Sequence, residues 1–273
     1  MAGAIERIAR DLSALEEAIA AIATELHNSY AGYLGALGQA VRHQLVLASY
    51  HLCTQGYPDE FLNLSFSQRQ QLQQSLREIA AKAKERLLRQ FHSPIPSEFA
   101  SVTTQEHQGN NGGEEVSSVT KVPQKRQPEE LVAWLESVEI AIAKTLQRTS
   151  RDSNRLLQQA EILPKKIPEP IIEAAAKVEA AAESVAGPPN LLNLVIEAED
   201  DDELQSSTVT HVYAIHLRLS EIELADPTVM AYRHQIRNLV AKLRGIEREY
   251  QKKQRERAVA EAESAWRASW FDD

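Results

Sequence analysis

The stretch IERIARDLSALEEAIAAIATEL, residues 5–26, decides the fold. Its large apolar residues Ile5, Ile8, Leu12, Leu15, Ile19, Ile22 and Leu26 recur at spacings of 3, 4, 3, 4, 3 and 4, an uninterrupted heptad seam. No strand period accounts for that spacing. Downstream the stripe changes phase to Tyr30, Leu34, Leu37, Val41, Leu45 and Leu52, with Gly32, Gly35 and Gly38 clustered where it does so. Glycine inside a helix costs about 1 kcal/mol relative to alanine, so three of them predict a close helix crossing or a bend. Gly56, Tyr57 and Pro58 stop the helix.

The same logic extends along the chain. Ser65 or Ser67 caps a second amphipathic helix with Leu72, Leu76, Ile79, Ala83, Leu87 and Phe91 on one face. Pro128, followed by Glu129 and Glu130, opens a third whose stripe is Leu131, Leu135, Val138 and Ile142. A shorter Ala-rich helix is expected from Ile171 to Ala186. Asp226 and Pro227 supply a cap and a first-turn proline for the last helix. There Val229, Tyr232, Ile236, Leu239, Leu243, Ile246 and Tyr250 repeat the heptad spacing. Thr208 to Leu224 fits both periods: Val209, Val212, His216, Leu219 and Ile222 for a helix, and Val209, His211, Tyr213, Ile215, Leu217 and Leu219 for a strand. A helix is favoured, because the surroundings are helical and isolated hairpins are marginal.

These elements predict an all-α chain of helical bundles or coiled-coil segments. Residues 1–92 form an N-terminal helical region, 93–128 a disordered linker, and 129–273 a C-terminal bundle with a long terminal helix. The linker reading rests on composition: His92 to Pro128 is rich in Ser, Thr, Gly, Gln and Pro and offers little to bury. A length of 273 residues, 43% hydrophobic and 25% charged, suits a globular protein, and 10 glycines with 5% aromatics argue against an all-β architecture.

Several function classes lack their residues. Cys53 stands alone, so neither an intrachain disulfide nor a Cys-rich zinc site can form, and it is read as buried and inert. The histidines, His27, His43, His51, His92, His107, His211, His216 and His234, show no H-E-x-x-H or His-x3-His spacing, so no metal is expected. Phosphate-binding glycine motifs and the G-x-S-x-G elbow are absent, so no catalytic residue and no cofactor is assigned and an enzyme ranks below a binding protein. The N-terminus lacks a basic and then apolar leader, and no transmembrane segment is expected, which points to a cytoplasmic protein.

Charge then distinguishes the ends. Residues 129–225 carry 8 basic against 18 acidic side chains, peaking at Glu197 to Glu203, which is read as a solvated acidic loop. Residues 233–257 carry 9 basic against 3 acidic ones: Arg233, Arg237, Lys242, Arg244, Arg248, Lys252, Lys253, Arg255 and Arg257 form a candidate basic surface. Nucleic acid or an anionic surface is its alternative partner, opposed by the interleaved glutamates and a pI near 5.5. Beyond it, Trp266 and Trp270 share a helix face and Phe271 follows. These rings complete the protein's own core or homo-oligomer, bind a separate protein, or touch a membrane surface; Asp272 and Asp273 disfavour the last. The expected function is a non-enzymatic scaffold or adaptor that self-associates through the heptad seams and binds a protein partner through Trp266, Trp270 and Phe271.

Overall fold

The computed structural model describes residues 2–91, 128–164, 174, 188–198 and 208–270. Among them are six α-helices: α1 (Ala2–His51), α2 (Pro58–Asn63), α3 (Phe66–Phe91), α4 (Pro128–Gln159), α5 (Leu219–Ala225) and α6 (Pro227–Ser269). A π-helical turn, Leu52–Gly56, follows α1, and two strands, β1 (Leu191–Ala198) and β2 (Thr208–Ile215), pair with each other. The all-α expectation holds, with one hairpin added. No helix among the described residues is long and apolar enough to cross a membrane. The linker expected over 93–128 lies outside the described residues apart from Pro128, which opens α4, and so does the helix expected over 171–186 apart from helical residue 174.

The described residues fall into two compact units that do not follow chain order. The first draws on 2–30, 128–137 and 234–270, the second on 31–91, 138–233. Each unit therefore takes a part of α1, α4 and α6. The physical reason is helix length: α1 has 50 residues and α6 has 43, more than one small core can cover.

In the first unit much of the two heptad seams is buried within the chain. Leu12, Ile19, Ile22 and Leu26 of α1 are buried, as are Ile236, Leu239, Leu243 and Tyr250 of α6. Tyr250 Oη donates to Glu16 Oε1 at 3.0 Å and Lys253 Nζ pairs with Asp11 at 3.1 Å, so these stretches run antiparallel. Trp134 of α4 fills the end of this core, edge-on to Tyr30 at 5.6 Å and beside His27 at 6.3 Å.

The second unit shows what the glycines do. A Cβ on Gly38 would lie 2.7 Å from Lys84 Cγ and 3.3 Å from its Cα, so α1 and α3 cross closely there. Gly32 similarly admits the Tyr232 ring of α6, whereas Gly35 meets nothing. Helix α3 begins in a capping box: Gln68 N donates to Ser65 Oγ, and Ser65 N donates to Gln68 Oε1. Asp226 caps α6 through Thr228 N at 2.8 Å and Val229 N at 3.2 Å.

The segment expected to be helical over Thr208 to Leu224 is instead strand through Ile215, then α5 from Leu219. The antiparallel register runs from Leu191 opposite Ile215 to Ala198 opposite Thr208. A lone hairpin is marginal because one edge of each strand is unsatisfied. Here side chains from α4 and from the residue between the π turn and α2 cover the edge of β2. Asn154 of α4 accepts from Ile215 N at 2.8 Å and donates to Ile215 O at 2.9 Å, and Tyr57 Oη bridges Tyr213 N and O at 3.0 and 3.3 Å. Burial falls on Val212, Ala214 and Ile215 while His211 is exposed, so the core-facing side differs from the alternation read in the sequence.

Candidate functional site

The end of α6 stays helical with little burial. Its alanines favour the helix, and Arg257 with Glu261 at 2.7 Å and Glu263 with Arg267 at 3.7 Å add i,i+4 pairs. Every residue from Glu261 to Trp270 is exposed. Trp266 and Trp270 are 66% and 63% exposed, with ring centroids 5.7 Å apart and planes inclined by 37°. Two adjacent indoles on one helix face make a stiff apolar surface of the kind that anchors interfaces. Within this chain they do not complete the core. Phe271, expected beside them, lies outside the described residues.

Upstream, the basic surface is smaller than its sequence. Arg237, Lys242, Arg244, Arg248, Lys252 and Arg255 are exposed, while Lys253 is held by Asp11 and Glu256 and Arg257 by Glu261. Arg233 must be removed from that surface, because it is only 9% exposed and sits inside an ionic cluster of the second unit. Its Nε meets Glu223 Oε1 at 2.5 Å, Nη1 meets Glu139 Oε1 at 2.6 Å, and Nη2 donates to Tyr33 Oη at 2.7 Å. Tyr33 Oη in turn donates to Glu223 Oε1 at 2.6 Å, and the guanidinium lies 4.6 Å from the Tyr33 ring. Burial alone would lower the Arg233 pKa, but the Glu139 and Glu223 hydrogen bonds and the neighbouring charges raise it. Burial raises that of Tyr33, against the opposing pull of Arg233. The cluster holds α1, α4, α5 and α6 together; it has the chemistry of a fastening.

The sequence did not reveal a second exposed apolar feature, where the end of α1, the π turn, α2 and α3 meet in the second unit. A cavity of about 370 Å³ opens there, lined by Val46, Tyr50, Phe61, Leu72, Leu76 and Arg77 among others. It adjoins a shallower groove that shares Val46, Tyr50 and Arg77 and adds Arg42, His43 and Leu47. Val46, Leu47 and Tyr50 are 48%, 39% and 58% exposed. Their only sequence signal is apolar character off the core stripe, which singly is ordinary. Cys53 also lines the cavity, buried and with its thiol pushed up to about 11 by that burial, consistent with an inert reading.

Among the described residues no group of three or more His, Cys, Asp or Glu side chains could hold a metal ion. Of the acidic run, Glu197 belongs to β1 and residues 199–207 lie outside the described residues. No known protein family, characterised protein or solved structure matches the chain.

Proposed function

We propose that the chain is a non-enzymatic helical adaptor whose terminal helix anchors a protein partner through Trp266 and Trp270. The observation that supports this reading is the exposed indole pair at the end of a helix whose upstream stretch is packed. Such rings cost solubility unless an interface covers them. Four of the seven α1 seam residues and five of the seven on α6 are buried and the others are half-buried, so the proposal does not draw on them. The six exposed cations of α6 between Arg237 and Arg255 add long-range attraction toward an acidic partner, while affinity comes from burying the rings. No cofactor is required.

Affinity capture from the native host with the full chain and with Trp270→Ala tests this. The variant should keep the wild-type melting temperature and lose the captured partner, with a cost of about 2 kcal/mol or more if the ring is a hot spot. A lowered melting temperature would assign the ring to the core instead. Equal capture by both proteins would remove the anchor. Binding that tracked duplex DNA length and fell steeply with salt would favour the alternative reading, nucleic acid on the α6 cations.

A further inference from the structure

We propose that the cavity lined by α1, the π turn, α2 and α3 binds a single-chain aliphatic carboxylate, with the chain in the cavity and the carboxylate at Arg77. The site lies inside the second unit and does not draw on Trp266 or Trp270. Small-molecule sites are apolar concavities of about 300–1,000 Å³ with a few polar groups that fix the ligand's orientation. At about 370 Å³ this one has that make-up: Val46, Tyr50, Cys53, Phe61, Leu72 and Leu76 give its apolar wall. Part of the wall, Cys53 and Thr54, comes from the π turn, a rare geometry that recurs at functional sites. Of the polar lining, Ser49 and Thr54 already donate their hydroxyls to Leu45 O and Tyr50 O, both at 2.7 Å. Apart from the weak Cys53 thiol, the side-chain donors left for a ligand are Tyr50 Oη, Gln73 and Arg77, and Arg77 is the charged one.

Charge and size select the ligand class. Val46, Tyr50 and Arg77 line both the cavity and the adjoining groove, so the guanidinium stands where the two meet, and Arg42 and His43 lie beyond it in the groove. No acidic side chain lines either one, and among the described residues neither Arg42 nor Arg77 has an acidic partner to be displaced. A guanidinium matches a carboxylate bidentately, and the single one in the cavity lining balances a single negative charge. A dry apolar cavity of about 150 Å³ holds benzene, with six carbons, so one of about 370 Å³ takes roughly twice as many. One aliphatic chain of about ten to twelve carbons fits, and the two chains of a diacyl lipid do not.

Isothermal titration calorimetry of the full chain with sodium decanoate at pH 8, below the micelle concentration, is the test. One molecule should bind per chain. Each buried methylene is worth about fourfold in affinity, so octanoate should bind about 15-fold more weakly than decanoate, whereas tetradecanoate should gain little over dodecanoate once the cavity is full. Arg77→Gln should weaken decanoate about fivefold, the worth of an exposed ion pair, and leave 1-decanol unchanged. Val46→Glu, at a 48% exposed position shared by cavity and groove, should keep the wild-type melting profile and weaken decanoate through like-charge repulsion. If Val46→Glu alters the melting profile, the comparison of decanoate with 1-decanol on Arg77→Gln decides alone. Four results each overturn the proposal: no saturable decanoate binding by the wild type, an equal loss of decanoate and 1-decanol in Arg77→Gln, undiminished decanoate binding by a folded Val46→Glu, or uptake of several molecules per chain with affinity still rising beyond dodecanoate.

Discussion

Replacing Arg233 with methionine tests whether the buried ionic cluster fastens the second unit. The substitution keeps the length of the side chain and removes its charge. Glu223, whose side chain is 13% exposed, then retains a carboxylate in the interior that, among the described residues, has only the Tyr33 hydroxyl to meet it. Breaking a buried pair by removing one partner costs about 3–5 kcal/mol. Glu139, at 37% side-chain exposure, is already solvated and adds little. The low end, about 3 kcal/mol, is therefore expected, and at roughly 2–4 °C per kcal/mol for a unit of this size the melting temperature should fall by about 6–12 °C. The assay is thermal unfolding followed by circular dichroism at 222 nm and pH 7. Arg233→Met/Glu223→Gln should recover at least half of the loss, because the uncompensated charge is gone. A single variant that melted within about 2 °C of wild type, or a double variant worse than the single, would refute the reasoning.

Three further outcomes follow from particular contacts. His27 has its pKa lowered from 6.5 by burial, so the unfolded chain binds protons more readily; stability should fall as pH drops from 6.5 toward the lowered folded value, and His27→Gln should flatten that slope in pH-dependent melts. Cys53, raised from 9.0 to about 11 and 5% exposed, should react with iodoacetamide at pH 8 at least about 100-fold more slowly in the native protein than in urea; equal rates would place the thiol in solvent. Gly35→Ala should stabilise by up to about 1 kcal/mol because its Cβ meets nothing, whereas Gly38→Ala should destabilise by displacing Lys84, and urea titrations showing the same sign for both would contradict the crossing geometry.

Local signals carried the helices. Asp226 with Pro227 marks the start of α6 from adjacent residues, and Ser65 marks α3 through Gln68 three positions on, because capping is a contact between near neighbours in the chain. Both heptad seams announced buried faces for the same reason, since a repeat that matches the helical turn gathers its side chains on one side wherever the partner comes from. The exposed Trp266 and Trp270 were legible as a shared face, although whether a core covers them was not.

Tertiary structure decided what depends on residues far apart. The hairpin over 208–215 competes with a helix on local grounds; Asn154 and Tyr57, 61 and 156 residues from their strand partners, satisfy the backbone that makes the strand possible. Arg233 reads as one cation in a basic helix until Tyr33, Glu139 and Glu223 arrive around it, from positions 200, 94 and 10 residues away. The α1–α3 groove is assembled from residues of α1, such as Val46 and Tyr50, and of α3, such as Arg77, that are far apart in the sequence. A sequence records the period and the caps of each helix, whereas the desolvation of a charge and the opening of a cavity are set by what other segments bring to the same place.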